Sequence, residues 1–372
     1  MPRTRQWLNR MLEQTDKLRP YLPGETVTEL AKRLGKPVTD IVKLDANENF
    51  LFPKEVLASA LCQLSNSLDP RLYPADEKEQ LAKALATSLN VHEQQIVLGN
   101  SSDELLELVA RAFLGENEGA VSVYPTFSMY RVITNATRHG FTEAPLGKDF
   151  QLDSKSLLKA CESSTVLCFL CSPNNPTGNQ FLCEEVRAFA EEFGGLVLVD
   201  EAYVEFAQHS LVHLAAQMEN LVVLRTFSKA FGLAGMRMGY AIASPRVASM
   251  LMRIQLPYNI NVMSLKMATE ILKHPDVLAS TIQSVKAERT WLNEALGKIP
   301  KVVAYPSEAN FILLKTPRPS PKVAEALKER GILVRGFGDV HGLEGCIRVT
   351  VGTREMNSQF ICGLEAVMGD QK

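Results

Sequence analysis

The stretch Leu-Val-Val-Leu-Arg-Thr-Phe-Ser-Lys-Ala-Phe-Gly, residues 221–232, decides the fold of this chain. It opens as an apolar strand and then passes Lys229 within a run of small residues. A lysine by itself is usually a solvated surface amine. Burial of an ammonium costs free energy unless the amine is neutral or bonded covalently. Lysines in such a setting are typically those that form Schiff bases.

Two upstream segments indicate which kind of lysine this is. The first is Ser-Pro-Asn-Asn-Pro-Thr-Gly at residues 172–178. The second is Asp-Glu-Ala-Tyr at residues 200–203, which closes the apolar run of residues 196–199. An amide, a carboxylate and a phenol near one reactive lysine are the groups that a pyridoxal phosphate cofactor needs. The three segments together predict such a site.

Length and composition narrow the class of protein. The chain has 372 residues, enough for about two domains, and its net charge of −2 does not suggest nucleic acid or an anionic membrane as partner. The first twenty residues lack the apolar core of a signal peptide, and no run approaches the roughly 20 apolar residues of a membrane span. We therefore expect a cytoplasmic protein.

Neither the cysteines nor the histidines predict a disulfide framework or a metal site. The chain has 7 cysteines, an odd number, and 6 scattered histidines. Cys168 and Cys171 have the CxxC spacing, but they lie in an apolar strand, and the sequence has no second CxxC pair that could complete a metal site with them. We interpret both as core residues and expect no metal.

The order of apolar segments predicts an α/β protein. Residues 1–45 are expected to form an N-terminal arm, 46–255 a large cofactor-binding domain and 256–372 a smaller α+β domain. Short strands alternate with amphipathic helices in the large domain, which predicts a mostly parallel sheet with helices on both faces. The expected strands are residues 95–98, 120–123, 166–170, 196–199 and 221–224. In the small domain we expect a long helical stretch around 263–298 and strands at 302–305, 310–314, 331–335 and 346–351.

The chemically distinctive residues follow the predicted strands. Ligands of parallel sheets bind at the carboxyl ends of the strands. Asn100-Ser101-Ser102, Asn174-Asn175, Asp200 and Ser228-Lys229 each come directly after one of them. This agreement between topology and chemistry supports one shared site.

The cofactor ring needs a carboxylate and two hydrogen-bonding groups. A carboxylate facing the ring nitrogen keeps it protonated, and at about 4 Å with an effective dielectric near 20 the pair is worth roughly 4 kcal/mol. Asp200 is our candidate for this role, although aspartate at a strand end is often only a turn cap. Asn175 and Tyr203 can bind the ring's 3-oxygen.

The cofactor phosphate needs amide donors and a fixed positive charge. Ser101, Ser102 and Asp103 open the predicted helix 105–113, whose free N–H groups and dipole attract anions. Ordinary helix capping would use the same residues. Arg237 would add a positive charge, and the hydroxyls of Thr226 and Ser228 would donate further hydrogen bonds to the phosphate. Phe127 offers an aromatic face for the ring.

With these residues assembled, the chain resembles the fold-type-I, aspartate-aminotransferase-like enzymes, and among them most closely the histidinol-phosphate aminotransferases. The resemblance covers nearly the whole chain. It is carried by residues 44–49, 71–74, 100–104, 174–178, 200–203, 225–239 and 348–355. Two departures are the Asn-Ser-Ser turn, where many relatives have a glycine, and Phe127, where tyrosine is common.

The resemblance implies roles that the residues alone do not. Lys229 would hold the cofactor and move a proton between substrate and cofactor. Tyr73 would reach the cofactor phosphate of a neighbouring subunit, which implies a homodimer. The substrate would be bound by four residues, Tyr21, Asn47, Arg335 and Arg348, with the two arginines and Tyr21 on its phosphate.

The predicted activity is therefore transamination of histidinol phosphate with 2-oxoglutarate, giving imidazole acetol phosphate and glutamate in histidine biosynthesis. Three alternatives stay open. An aromatic or broad-specificity aminotransferase would use Arg348 on a carboxylate. A threonine-phosphate decarboxylase would bind phosphate with the same arginines but release CO2. A ligand-sensing regulator would carry an added DNA-binding domain, and the arm of about 45 residues is too short and not basic enough for one.

Overall fold

A computed structural model describes residues 3–16, 24–338 and 340–369 of the chain. These residues contain fourteen α-helices: α1 (Arg3–Asp16), α2 (Val27–Leu34), α3 (Lys54–Ser65), α4 (Asp76–Leu89), α5 (Ser102–Phe113), α6 (Met129–Ala136), α7 (Ser154–Ala160), α8 (Cys183–Glu192), α9 (Val212–Ala215), α10 (Pro245–Ile254), α11 (Val262–Ile271), α12 (Pro275–Leu296), α13 (Ser320–Lys328) and α14 (Arg354–Gly369). They also contain thirteen strands: β1 (Val42–Lys43), β2 (Ile96–Gly99), β3 (Gly119–Tyr124), β4 (Gly140–Pro145), β5 (Thr165–Cys171), β6 (Leu196–Asp200), β7 (Leu221–Thr226), β8 (Gly239–Ile242), β9 (Val303–Ala304), β10 (Phe311–Lys315), β11 (Ile332–Leu333), β12 (Arg335–Gly336) and β13 (Cys346–Thr350).

The centre of the molecule is a seven-stranded sheet with the order β2-β8-β7-β6-β5-β3-β4. Its strands run parallel except β8, which is antiparallel to both of its neighbours. The predicted α/β class with a mostly parallel sheet is confirmed. All five strands expected in this part of the chain are present, whereas β4 and β8 were not predicted.

The central strands are apolar along their whole length because helices cover both faces of the sheet. Along β6, Val197 and Val199 belong to the core on one face, together with Phe189 of α8. Leu196 and Leu198 belong to the core on the other face, together with the helices α5 and α6. Successive side chains of β6 therefore enter the two cores in turn, and for this reason every residue of the strand before Asp200 is apolar.

The C-terminal part contains a four-stranded antiparallel sheet with the order β12-β13-β10-β9. The expected helical stretch around 263–298 is present as two helices, since α11 ends at Ile271 and α12 begins at Pro275. Proline lacks the N–H that a continuous helix needs, and it is favoured at a helix start. The expected strand at 331–335 is two short strands, β11 and β12, which lie in different sheets.

Part of the expected N-terminal arm packs on the C-terminal region. β1 pairs in parallel with β11, and Leu30, Ala31 and Ile41 form a small core with Leu333. α11 packs against α3 and α4. The domain boundaries near residues 45 and 255 stay a prediction.

Within the described ranges, no helix is long and apolar enough to cross a membrane. The same part of the chain holds no cluster of three or more His, Cys, Asp or Glu side chains placed to bind a metal ion.

Candidate active site

One edge of the large sheet gathers the carboxyl ends of β2, β5, β6 and β7. β8 runs the other way, so its first residue, Gly239, lies at this same edge, in register with Gly99 of β2 and Thr226 of β7. Topology therefore brings together segments that are up to 140 residues apart in the sequence. All of the predicted cofactor-binding segments except the one around Tyr73 meet at this edge or directly beyond it.

Lys229 lies just beyond β7 with its amine against the chain that follows β1. Nζ donates a hydrogen bond of 3.0 Å to the carbonyl oxygen of Ala46, and it lies 5.9 Å from the centre of the Tyr203 ring. Burial, helped by the positive charge of Arg348, lowers the pKa of Lys229 to about 8. The neutral amine, which a nucleophile or base requires, is therefore far more populated near physiological pH than in an ordinary lysine, although the ammonium form still predominates.

Asp200 is the last residue of β6 and only 3% exposed. Its Oδ2 accepts a hydrogen bond of 3.0 Å from the Tyr130 hydroxyl, and its Oδ1 accepts one of 3.1 Å from the Ala202 amide. Burial raises the pKa of Asp200 to about 7, against the smaller lowering effect of these bonds. A cation placed beside this carboxylate would restore its ionised form.

Tyr203 is the centre of a buried hydrogen-bond network. Its hydroxyl accepts bonds from Asn47 Nδ2 at 3.1 Å and Asn175 Nδ2 at 3.3 Å. The Asn175 Oδ1 in turn accepts a bond of 2.7 Å from Arg348. Burial raises the pKa of Tyr203, so the phenol stays protonated and can donate to an oxygen anion. The network joins residues from four separate segments.

The two predicted substrate arginines lie directly opposite each other on neighbouring strands. Arg348 of β13 and Arg335 of β12 are register partners in an antiparallel pair. Side chains of such partners point to the same face, with Cβ atoms about 4.5–5.5 Å apart. Arg348 is 8% exposed and also donates a bond of 2.6 Å to the Asp45 carbonyl, whereas Arg335 is exposed.

The start of α5 is open toward the site. Ser101 has a φ of 80° and makes no side-chain cap bond, so the predicted alternative of ordinary serine capping does not hold there. The capping carboxylate is Glu104 instead, which accepts a bond from the Asn100 amide. Helices leave their first N–H groups without intrahelical partners, and these groups bind anions.

Gly239 is packed against this turn. A Cβ at residue 239 would lie 2.6 Å from the Ser102 nitrogen and 2.8 Å from the Ser101 carbonyl carbon, both backbone atoms. Any other residue would push the turn away from the end of β8. Sequence reasoning missed this residue, although its position in the Arg-Met-Gly segment after the reactive lysine was a signal.

The remaining phosphate-binding candidates surround the same turn. Arg237 donates a bond of 2.9 Å to the Asp103 carboxylate, so its guanidinium lies beside the α5 start. Thr226 Oγ1 donates to the Met238 carbonyl at 3.2 Å and accepts from the Ser228 amide at 3.0 Å. These bonds fix the backbone that leads from β7 to Lys229.

Three candidates differ in their surroundings. Phe127 is half-buried, and its ring packs edge to face with Tyr130 at 5.6 Å. Tyr73 is 76% exposed and stacks on Tyr258 at 4.6 Å. Tyr21 lies outside the described residues.

These groups fit a cofactor with an aldehyde, a basic ring nitrogen and a phosphate. Lys229 is an amine with a lowered pKa, Asp200 is a buried carboxylate, and the start of α5 with Gly239 forms a close backbone cradle for an anion. Fold and site together define a pyridoxal phosphate enzyme of fold type I.

Comparison with known proteins agrees with this assignment. Residues 39–364 match the family described as aminotransferase class I and II. The histidinol-phosphate aminotransferase of Thermoanaerobacter sp. (strain X514) is 41% identical over 330 residues, 88% of this chain and 93% of the relative. That of Methanocaldococcus jannaschii is 33% identical over 370 residues, 97% of this chain and 98% of the relative. The crystal structure of the histidinol-phosphate aminotransferase from Sinorhizobium meliloti, in complex with pyridoxal-5'-phosphate, superimposes with a TM-score of 0.84 at 24% identity, covering 93% of this chain and 95% of that one.

The chain belongs to the class I and II aminotransferases. Family membership confirms the predicted enzyme class, fold type and pyridoxal phosphate cofactor. The roles of individual residues stay predictions, and each can be tested separately.

The contact at Gly239 gives the first of these tests. Replacement of Gly239 by alanine is expected to weaken pyridoxal phosphate binding by about tenfold or more, because the displaced turn loses charge-assisted bonds to the phosphate. Gly235→Ala is the matched control, since no atom lies within 4 Å of a Cβ there. Titration of the apoenzymes with cofactor measures both. Equal affinities for the two variants would contradict the assigned phosphate cradle.

Proposed function

We propose that this protein transfers the amino group of histidinol phosphate to 2-oxoglutarate, giving imidazole acetol phosphate and glutamate. The observation that carries the choice of substrate is the register of Arg335 opposite Arg348. Like charges directly opposite on paired strands are destabilising. Two guanidiniums on one face, one of which acts on the reactive lysine, are explained if a doubly charged phosphate binds between them.

The arginine pair is positioned by rigid elements. β13 is buried along its whole length, and its pairing with β10 sets Arg348 over the ring of Phe311 at 5.3 Å. The bonds of Arg348 to Asn175 and to the Asp45 carbonyl hold its guanidinium at the rim of the Tyr203 network. A phosphate held there places the rest of a short substrate toward Lys229, whose pKa the same arginine helps to lower.

When bound, pyridoxal phosphate supplies the electron sink that weakens the substrate Cα–H bond. Lys229 Nζ, whose lowered pKa makes the neutral amine accessible, takes up and returns the proton of Cα as general base and acid. Asp200 would hold a proton on the ring nitrogen by charge pairing, and the Tyr203 and Asn175 side chains would bind the 3-oxygen. Buried walls around these groups exclude water and strengthen each electrostatic contact.

The second half-reaction uses the same groups with a dicarboxylate. Arg348 and Arg335 can each pair with a carboxylate as well as with a phosphate, because the guanidinium fork fits both. In glutamate and 2-oxoglutarate the carboxylate next to the reacting carbon takes the place of the phosphate, because histidinol phosphate carries its phosphorylated CH2 group on that carbon. One arginine pair therefore serves both amino donor and acceptor.

Replacement of Arg335 by glutamine tests this assignment. We expect KM for histidinol phosphate to rise by roughly tenfold to a hundredfold, because a charge-assisted bond to the phosphate is lost. Cofactor binding and its absorbance spectrum should not change. Arg187→Gln, which removes an exposed arginine from α8, is the control. A KM for histidinol phosphate equal in the two variants would exclude Arg335 from the phosphate site.

The predicted homodimer is also part of the proposal. Tyr73 and Tyr258 stack on each other although they are 76% and 55% exposed, and Leu72 and Leu256 beside them are exposed as well. Contiguous exposed apolar side chains are typical of an interface. A second copy of the chain is the partner that the predicted role of Tyr73 requires.

The proposed location is the cytoplasm. All seven cysteines are free in the structure. Unpaired cysteines are typical of proteins in reducing compartments.

A further inference from the structure

We propose that Tyr130 is a positioning residue which aligns the Asp200 carboxylate and the Phe127 ring for the cofactor. The inference rests on the proposed function, since both of these residues are expected to contact the cofactor. Tyr130 is not expected to touch the cofactor itself, so it acts through its two neighbours. Sequence reasoning did not single it out.

The contacts of Tyr130 support this role. The residue lies on α6, is fully buried, and stacks flat on Phe169 of β5 at 5.1 Å. This stacking holds the hydroxyl in place at 3.0 Å from Asp200 Oδ2, while the ring edge packs against Phe127 at 5.6 Å. The Tyr130 side chain thus contacts both Asp200, the predicted partner of the cofactor's ring nitrogen, and Phe127, the predicted partner of the ring face.

The hydroxyl also affects the charge of Asp200. Burial raises the pKa of Asp200, and the bond from Tyr130 lowers it. The other groups that face this carboxylate are Cys171, its register partner on β5, Asp103 on α5, Lys229 beyond β7 and Tyr203 beyond β6. Burial raises the pKa of the Cys171 thiol and of the Tyr130 phenol, so both stay neutral. Tyr130 is therefore the hydroxyl donor that favours the ionised form of Asp200.

The test is a pH series of pyridoxal phosphate binding to the apoenzyme of Tyr130→Phe. The ionised carboxylate is the form that binds a protonated ring nitrogen, so affinity falls as the pH drops through the pKa of Asp200. Without the hydroxyl this pKa rises further, and the fall should begin at a higher pH than in the unmodified protein. At pH 7 we expect affinity to drop by about tenfold.

Two further variants separate positioning from packing. Ser122→Ala removes another buried hydroxyl of the same sheet, one that donates to the Phe169 carbonyl at 2.7 Å, and should leave the pH profile unchanged. In an Asp200→Asn background, Tyr130→Phe should have little further effect on affinity, because the two residues act as a unit.

The outcomes are distinct. A shifted pH profile that disappears in the Asp200→Asn background supports the inference. A Tyr130→Phe profile that matches the unmodified protein, or an equal loss in both backgrounds, overturns it. Failure of the unmodified apoenzyme to bind pyridoxal phosphate at any pH would overturn the proposed function, and the inference with it.

Discussion

Replacement of Lys229 by alanine is expected to lower kcat for histidinol phosphate by at least about 10⁴-fold. The variant lacks the amine that we propose both binds the cofactor covalently and acts as general base, and whose pKa burial lowers to about 8. Among the described residues, the other lysine with a lowered pKa is Lys78. Its amine donates hydrogen bonds to Gln255 and Asn259, so it does not take the place of Lys229. Single-turnover absorbance with excess substrate measures the loss.

The control for this variant is Lys286→Ala. Lys286 also donates to a backbone carbonyl, that of Ala207 at 3.4 Å, but no predicted site residue contacts it. Borohydride treatment followed by mass spectrometry should place the cofactor on Lys229 in the unmodified protein and in the control. A cofactor mass on any other lysine, or a Lys229→Ala enzyme with more than about 1% of the original kcat, would contradict the assignment.

The second large effect is expected for Asp200→Asn. An asparagine cannot keep the ring nitrogen protonated, and the lost charge pair of roughly 4 kcal/mol at about 4 Å corresponds to about 10³-fold in kcat. Asp153→Asn is the matched control, because Asp153 caps α7 through the Ser156 amide and asparagine caps helices equally well. Steady-state kinetics of the two variants with the same donor make the comparison.

The same variant should change the pH dependence of apoenzyme stability. In the folded state the pKa of Asp200 is raised to about 7, whereas an unfolded aspartate has a pKa of about 3.9. Between these values the folded state binds more protons, so the free energy of unfolding contributed by this group falls as the pH rises. Urea titrations from pH 4 to 7 should show a smaller fall for Asp200→Asn. An identical slope in both proteins would show that the carboxyl is not buried as described.

The elements that could be predicted from the sequence are those whose pattern has one physical explanation. β5, β6 and β7 are buried on both faces, so their runs of apolar residues predict central parallel strands. β4 was missed because it is an edge strand with mostly half-exposed or exposed side chains. β8 has only four residues, and its antiparallel direction leaves no mark in the pattern of apolar residues.

The site was predictable where chemistry restricts the residue type. Lys229, Asp200 and Tyr203 could be placed together because each follows a strand of a parallel sheet. Tyr130 could not be singled out from the sequence, since the rotation of α6 decides whether its hydroxyl reaches Asp200. The register that sets Arg335 opposite Arg348 likewise depends on long-range pairing between strands.

The most direct test of the proposed activity follows the absorbance of cofactor-loaded enzyme after addition of histidinol phosphate, phenylalanine, tyrosine or threonine phosphate. Conversion of the cofactor to its aminated form should be at least about tenfold faster with histidinol phosphate than with the other three, because only this donor combines the phosphate with the proposed imidazole side chain. Equal or faster conversion by the aromatic amino acids would make the protein a broad-specificity aminotransferase. Release of CO2 from threonine phosphate, or no response to histidinol phosphate, would also contradict the assigned substrate.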